Sequence, residues 1–214
     1  KSSKISPEDT YKIPAIEASQ SLFILNVSSG LILEDFKDEF SKFSLSLDDF
    51  YKFAIIYGIK LPEYEELVEY FEERYRIHRT KEELIIGKEV LEEIKNKSTN
   101  TGVITGRPFD DLDFSFKHFD LYKYFDLIIT EDDIPKPNLR KPSSYPMKLF
   151  FEKVNYKEPV FYIGDTSADK EMVENFNEET GKNVNFILFE NQHNKDINTK
   201  YKVSSDKELL KILK

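Results

Sequence analysis

Four side chains able to handle a phosphate and a metal ion stand just behind short apolar runs. Thr105, with Gly106 beside it, follows Gly102-Val103-Ile104. Lys141 precedes Pro142 in a Pro-rich stretch that follows Leu127-Ile128-Ile129-Thr130. Asp165 ends the run Val160-Phe161-Tyr162-Ile163-Gly164, and Asp169 lies four residues on. A hydroxyl and an ammonium suit an oxyanion, and paired carboxylates suit a hard divalent cation. Two structural alternatives stay open. Asp165 and Asp169 can pair with Lys141 and hold two loops together without any ligand. Thr105 can simply cap the helix behind it.

The elements that would carry these residues alternate. Apolar runs at 22–25, 102–105, 127–130, 160–163, 185–189 and 201–203 read as strands. Between them lie helical patterns near 109–124, around Met147, Phe150, Phe151 and Val154, and around Met172, Val173 and Phe176. A last helix carries Leu209, Leu210 and Leu213 behind Ser205-x-x-Glu208. Strands alternating with helices give an α/β fold, a doubly wound (Rossmann-like) parallel sheet whose ligands sit beyond the strands' carboxyl ends.

One stretch breaks the alternation. Tyr64, Leu67, Val68, Phe71 and Tyr75 repeat as a single helical stripe, Phe36, Phe40 and Phe43 are similarly spaced, and Thr80-x-x-Glu83 is a capping-box pattern. The expected organisation is an N-terminal arm at 1–20, a core at 21–33 and 97–214, and an inserted helical cap at 34–96.

Composition narrows the function classes. Thirty-one Lys and Arg against 40 Asp and Glu give a net charge of −9, the wrong sign for a nucleic-acid or anionic-membrane binder. With no cysteine there is no disulfide, thiolate metal site or cysteine nucleophile. The three histidines, His78, His118 and His193, are scattered. No apolar run reaches membrane-spanning length and no charged-then-apolar leader precedes the first strand, so the expectation is a soluble, cytoplasmic protein. Nothing in the sequence names a protein partner.

Taken in order, Thr105-Gly106-Arg107-Pro108, Lys141-Pro142 and Gly164-Asp165-Thr166-x-x-Asp169 resemble the motifs of the haloacid dehalogenase (HAD) superfamily of phosphohydrolases. The segment Tyr124–Thr130 is similar to the one before that family's lysine loop. The resemblance covers about 22–214 and implies a helical cap over the site, a small phosphorylated metabolite as ligand, and Mg2+. It assigns Thr105, Gly106 and Lys141 to phosphate and Asp165, Asp169 and residue 26 to the metal.

The family's first motif, Asp-x-Asp-Gly-x-Leu, falls here on Asn26-Val27-Ser28-Ser29-Gly30-Leu31. Asn26 stands where the family has its nucleophile, and Ser28 where it has its general acid/base. An amide is a far poorer nucleophile than a carboxylate and lowers the charge offered to Mg2+. A serine hydroxyl cannot exchange protons near neutral pH as a tuned carboxylic acid does, a loss of about 10²–10⁴-fold by itself. The expectation is a HAD-like protein inactive as a phosphatase, which keeps phosphate or phospho-metabolite binding, or an interaction role, with weakened Mg2+ affinity. The alternatives are an active Mg-dependent phosphohydrolase and a purely structural domain. Asp111-x-Asp113 has the spacing of the missing motif but falls within a helix, Arg107 reads as a surface or salt-bridge residue, and Asp132-Asp133 reads as a solvated loop.

Overall fold

The computed structural model describes residues 79–191 and 194–213, with Ile55, Glu63, Glu65, Glu66, Glu69 and Arg76. The chain divides into two compact units, Lys1–Ile85 and Ile86–Lys214. In the first, Ile55, Glu65, Glu66, Glu69 and Arg76 have helical backbone, and the four named glutamates are exposed. Thr80 lies inside the 3-10 turn Arg79–Lys81, so the Thr80-x-x-Glu83 pattern opens no helix. The arm at 1–20, the run at 22–25, the loop holding Asn26 and Ser28, and nearly all of 34–78 lie outside the described residues.

The second unit is built on parallel strands. β1 (Gly102–Ile104) pairs with β2 (Leu127–Ile129), Gly102 opposite Leu127 and Ile104 opposite Ile129. β3 (Val160–Gly164), β4 (Val184–Phe189) and β5 (Tyr201–Val203) form a second parallel set in that order. Val160 faces Val184 in register, Gly164 faces Leu188, and Ile187 faces Tyr201. Among the described residues, β1 and β3 each keep one edge with no strand beside it. The helices are α1 (Lys88–Lys97), α2 (Phe109–His118), α3 (Tyr145–Lys153), α4 (Ser167–Thr180) and α5 (Asp206–Ile212).

β4 shows why the sheet is covered on both faces. Its side chains alternate, as any strand's must. Val184, Phe186 and Leu188 pack against Met147 of α3 and Met172, Val173 and Phe176 of α4. Ile187 points the other way, into a cluster with Val90 of α1, Val203 of β5 and Leu209 of α5. A strand apolar on both faces needs helices on both, the doubly wound arrangement read from the sequence. Val90 also corrects one expected boundary. The helix that carries it was grouped with the cap, yet its apolar face packs on β4 and β5, within the unit that begins at Ile86.

The helix ends follow local chemistry. Thr166 accepts from Asp169 N while Asp169 accepts from the Thr166 backbone, a reciprocal box that starts α4. Gly181 ends α4 at φ 68°, in the left-handed region where glycine has no side chain to clash. Asn177 then bonds both backbone groups of Val184, tying the end of α4 to the start of β4. No described helix is long and apolar enough to cross a membrane.

Candidate functional site

Lys141 is the centre of a buried polar cluster at the carboxyl ends of β1 and β3. Its ammonium donates to Ile104 O at 2.8 Å, to the Tyr162 phenol oxygen at 2.8 Å and to Asp169 Oδ1 at 2.7 Å. An ammonium carries three donors, so all are engaged. The Lys141 side chain is 19% exposed and that of Asp169 is 7% exposed. The Lys141–Asp169 contact therefore lies largely out of water, where an ion pair is weakly screened.

Asp169 is equally committed. Oδ1 accepts from Lys141 and, at 3.0 Å, from the Tyr162 hydroxyl. Oδ2 accepts from the Thr166 hydroxyl at 2.7 Å and from Thr166 N at 3.3 Å. Burial alone would push this carboxyl up. The Lys141 charge and the hydrogen bonds from Lys141, Thr166 and Tyr162 outweigh it and hold Asp169 below its ordinary range. Tyr162 moves the opposite way: burial, then the negative charge and hydrogen bond of Asp169, then the charge of Asp165, push its phenol well up.

The remaining predicted residues surround this core. Thr105 follows Ile104, whose carbonyl Lys141 holds. Its backbone N–H extends the β1–β2 ladder to Ile129 O, and its hydroxyl accepts from Arg107 N at 3.1 Å. That is a local turn bond, which leaves the hydroxyl proton to donate elsewhere. Gly106 is exposed, and a Cβ there would meet nothing within 4 Å. Asp165 is exposed on the turn before α4. Its backbone carbonyl accepts from Asn194 Nδ2 at 2.9 Å. Thus Lys141 and Asp169 meet directly, and Thr105 and Asp165 flank them along the chain. Asn26 and Ser28 lie outside the described residues.

Two neighbouring residues gain partners. Asp132, exposed, accepts from Phe109 N at 2.7 Å and so caps the first turn of α2. Asp133 accepts from the backbone and hydroxyl of Thr130. Arg107 runs along α2, donating to Asp111 O at 3.2 Å and Ser115 Oγ at 3.1 Å. Asp111 and Asp113 do lie within α2, and Asp113 accepts from Lys117 and Tyr122.

Sequence reasoning passed over Tyr162 and Asn194. The signal for Tyr162 was its hydroxyl in an otherwise apolar run, two residues before Gly164. For Asn194 the sequence offered none, because its partners Asp165 and Phe189 end different strands.

A family model described as haloacid dehalogenase-like hydrolase matches residues 32–183, well over half of the chain. The chain belongs to that family. The matched span begins after Asn26 and Ser28. No curated protein sequence matches the chain. Solved structures share the fold at low identity. A HAD-superfamily hydrolase, subfamily IA, from Geobacter sulfurreducens is 18% identical over 94% of this chain and 90% of its own, with a TM-score of 0.64. A HAD phosphatase from Thermococcus onnurineus is 21% identical over 97% and 90%, with a TM-score of 0.55. A candidate HAD-hydrolase from Bacillus subtilis, YfnB, in a magnesium-bound form, is 12% identical over 99% and 85%, with a TM-score of 0.58.

The family implies Mg2+, and the described donors do not complete a site for it. All four lone-pair positions of Asp169 already accept hydrogen bonds. Among the described residues no three His, Cys, Asp or Glu side chains converge.

Proposed function

We propose that this HAD-family chain lacks the family's phosphatase chemistry and keeps an anion pocket for phosphate or a small phosphorylated metabolite at Thr105, Gly106 and Lys141. The observation that carries the reading is the pair Asn26 and Ser28, standing where the family's motif order has two aspartates. An amide cannot form the acyl-phosphate that a carboxylate nucleophile forms, and a serine cannot supply the matched acid. The saturated Asp169 carboxylate supports the second part of the proposal, that Mg2+ at Asp165, Asp169 and residue 26 binds weakly. The ligand is a phosphorylated small molecule because a lysine ammonium and a threonine hydroxyl at strand ends match phosphate oxygens.

The test is hydrolysis of a broad panel of phosphorylated metabolites with Mg2+, set beside binding of the same compounds. The expected result is no turnover above background, with binding that is lost in Lys141→Met. Turnover that disappears in Asp165→Ala would overturn the reading and restore an active Mg-dependent phosphohydrolase. Absence of both turnover and binding would leave a structural domain. A double variant, Asn26→Asp with Ser28→Asp, gains hydrolysis if the rest of the machinery is intact.

A further inference from the structure

The Lys141 ammonium has no donor to spare, so an anion that binds it must displace one of three acceptors. The three are unequal. Asp169 is an ionised carboxylate 2.7 Å away, so its contact adds the attraction of opposite charges to the charge-assisted hydrogen bond that all three acceptors make with the ammonium. Ile104 O is a backbone carbonyl at 2.8 Å, held on β1, and a buried carbonyl stripped of its partner is costly. The Tyr162 phenol is neutral, and the contact uses only its oxygen lone pair. The hydroxyl keeps its own proton for Asp169 Oδ1 at 3.0 Å, with Ile104 O at 3.3 Å as a second acceptor. Tyr162 therefore loses least when Lys141 turns a proton elsewhere.

We propose that Tyr162 is the residue that sets anion affinity at Lys141: its phenol oxygen holds the third ammonium proton, and a phosphate oxygen binds by taking that place. This rests on the reading that Lys141 faces a phosphate. It assigns Tyr162 a positioning role, since the residue acts through Lys141. The ring supports the same geometry, with the Lys141 ammonium 5.5 Å from its centroid. Removing the hydroxyl takes away a competitor and leaves an ammonium proton unpaired until an anion arrives. The Lys141–Asp169 and Lys141–Ile104 contacts remain to hold the lysine in place.

The experiment measures inorganic phosphate binding to the full chain by titration calorimetry. It compares wild type, Tyr162→Phe, Lys141→Met and the double variant. The expected result is that Tyr162→Phe binds phosphate about 3- to 10-fold more tightly, the net size of one ordinary protein hydrogen bond, and that the double variant loses the gain. A merely structural role for Tyr162 would lower affinity, so the sign of the change separates the two. Lys141-dependent binding in wild type that is unchanged or weakened in Tyr162→Phe overturns this proposal and leaves the phosphate pocket standing. No binding in either protein overturns both. Thermal melts check that Tyr162→Phe folds, and Tyr162→Met, of similar reach and without a hydroxyl, repeats the measurement if it does not.

Discussion

Gly164 gives Asp169 its place. A Cβ on Gly164 would sit 2.6 Å from Asp169 Cβ and 2.8 Å from its Oδ2, closer than non-bonded atoms approach. The near end of Asp169 cannot swing aside, because the residue belongs to the first turn of α4 and its carboxylate is bound at both oxygens. The glycine in the Gly164-Asp165 pair is thus a packing requirement of the residue five positions on.

Gly164→Ala is therefore expected to destabilise the protein by about 1–3 kcal/mol, the usual cost of overpacking a closed site. It should also move α4 or break the Lys141–Asp169 contact. Denaturant midpoints at unchanged slope measure the first effect. A shift in the pH dependence described next reports the second. An unaltered midpoint would show that α4 can slide without cost.

The Lys141–Asp169 pair makes stability depend on acid. The folded carboxyl is held below its ordinary 3.8, so the unfolded chain binds the proton more tightly. The stabilisation is complete above the ordinary value and is lost as pH falls through the depressed folded value. Asp169→Asn removes the charge and leaves the Lys141 ammonium uncompensated, a change that costs about 3–5 kcal/mol for a buried pair. Urea unfolding at neutral pH should show that gap, and below about pH 4 it should narrow. A gap that stays constant into acid would mean Asp169 contributes shape and not charge.

What was legible in the sequence follows from how local each signal is. β4 was readable because Phe186-Ile187-Leu188-Phe189 run together, and the Ser205 cap because its partner Glu208 lies three residues away. The placing of Thr105, Lys141, Asp165 and Asp169 behind strands came from the apolar runs at 102–105, 127–130 and 160–163. The α1 boundary was misread because an amphipathic stripe does not say which surface it covers. Only contact of Val90 with Ile187 and Leu209 decides that. The partners of Tyr162 and Asp132 were not legible for a related reason. A hydroxyl in a strand or a carboxylate in a loop gains its role from a partner 21 or 23 residues away, at a distance set by folding.

Ile187 and Leu188 are adjacent and both fully buried, yet they serve opposite faces of β4. Ile187→Ala and Leu188→Ala should each cost about 2–5 kcal/mol. Because one empties the α1–α5 layer and the other the α3–α4 layer, the two effects should nearly add. A double variant measured by denaturant titration checks this. Strong non-additivity would mean that one face collapses when the other is cut.

Asn194 offers the last test, on the turn that carries Asp165. The side chain is buried, its amide donates to Asp165 O and Phe189 O, each at 2.9 Å, and its carbonyl accepts from Asn191 N at 2.7 Å. One side chain thus joins the ends of β3 and β4 at the edge where ligands of such sheets bind. Asn194→Ala leaves two carbonyls and an amide short of a partner, at about 1–3 kcal/mol for each group that water does not reach. The expected result is a loss in that range, with faster amide hydrogen exchange localised to the turn at 164–167 and to the segment after Phe189. Exchange that rises evenly over the whole unit would show global destabilisation instead, and Asn194 would then hold the core and not the turn.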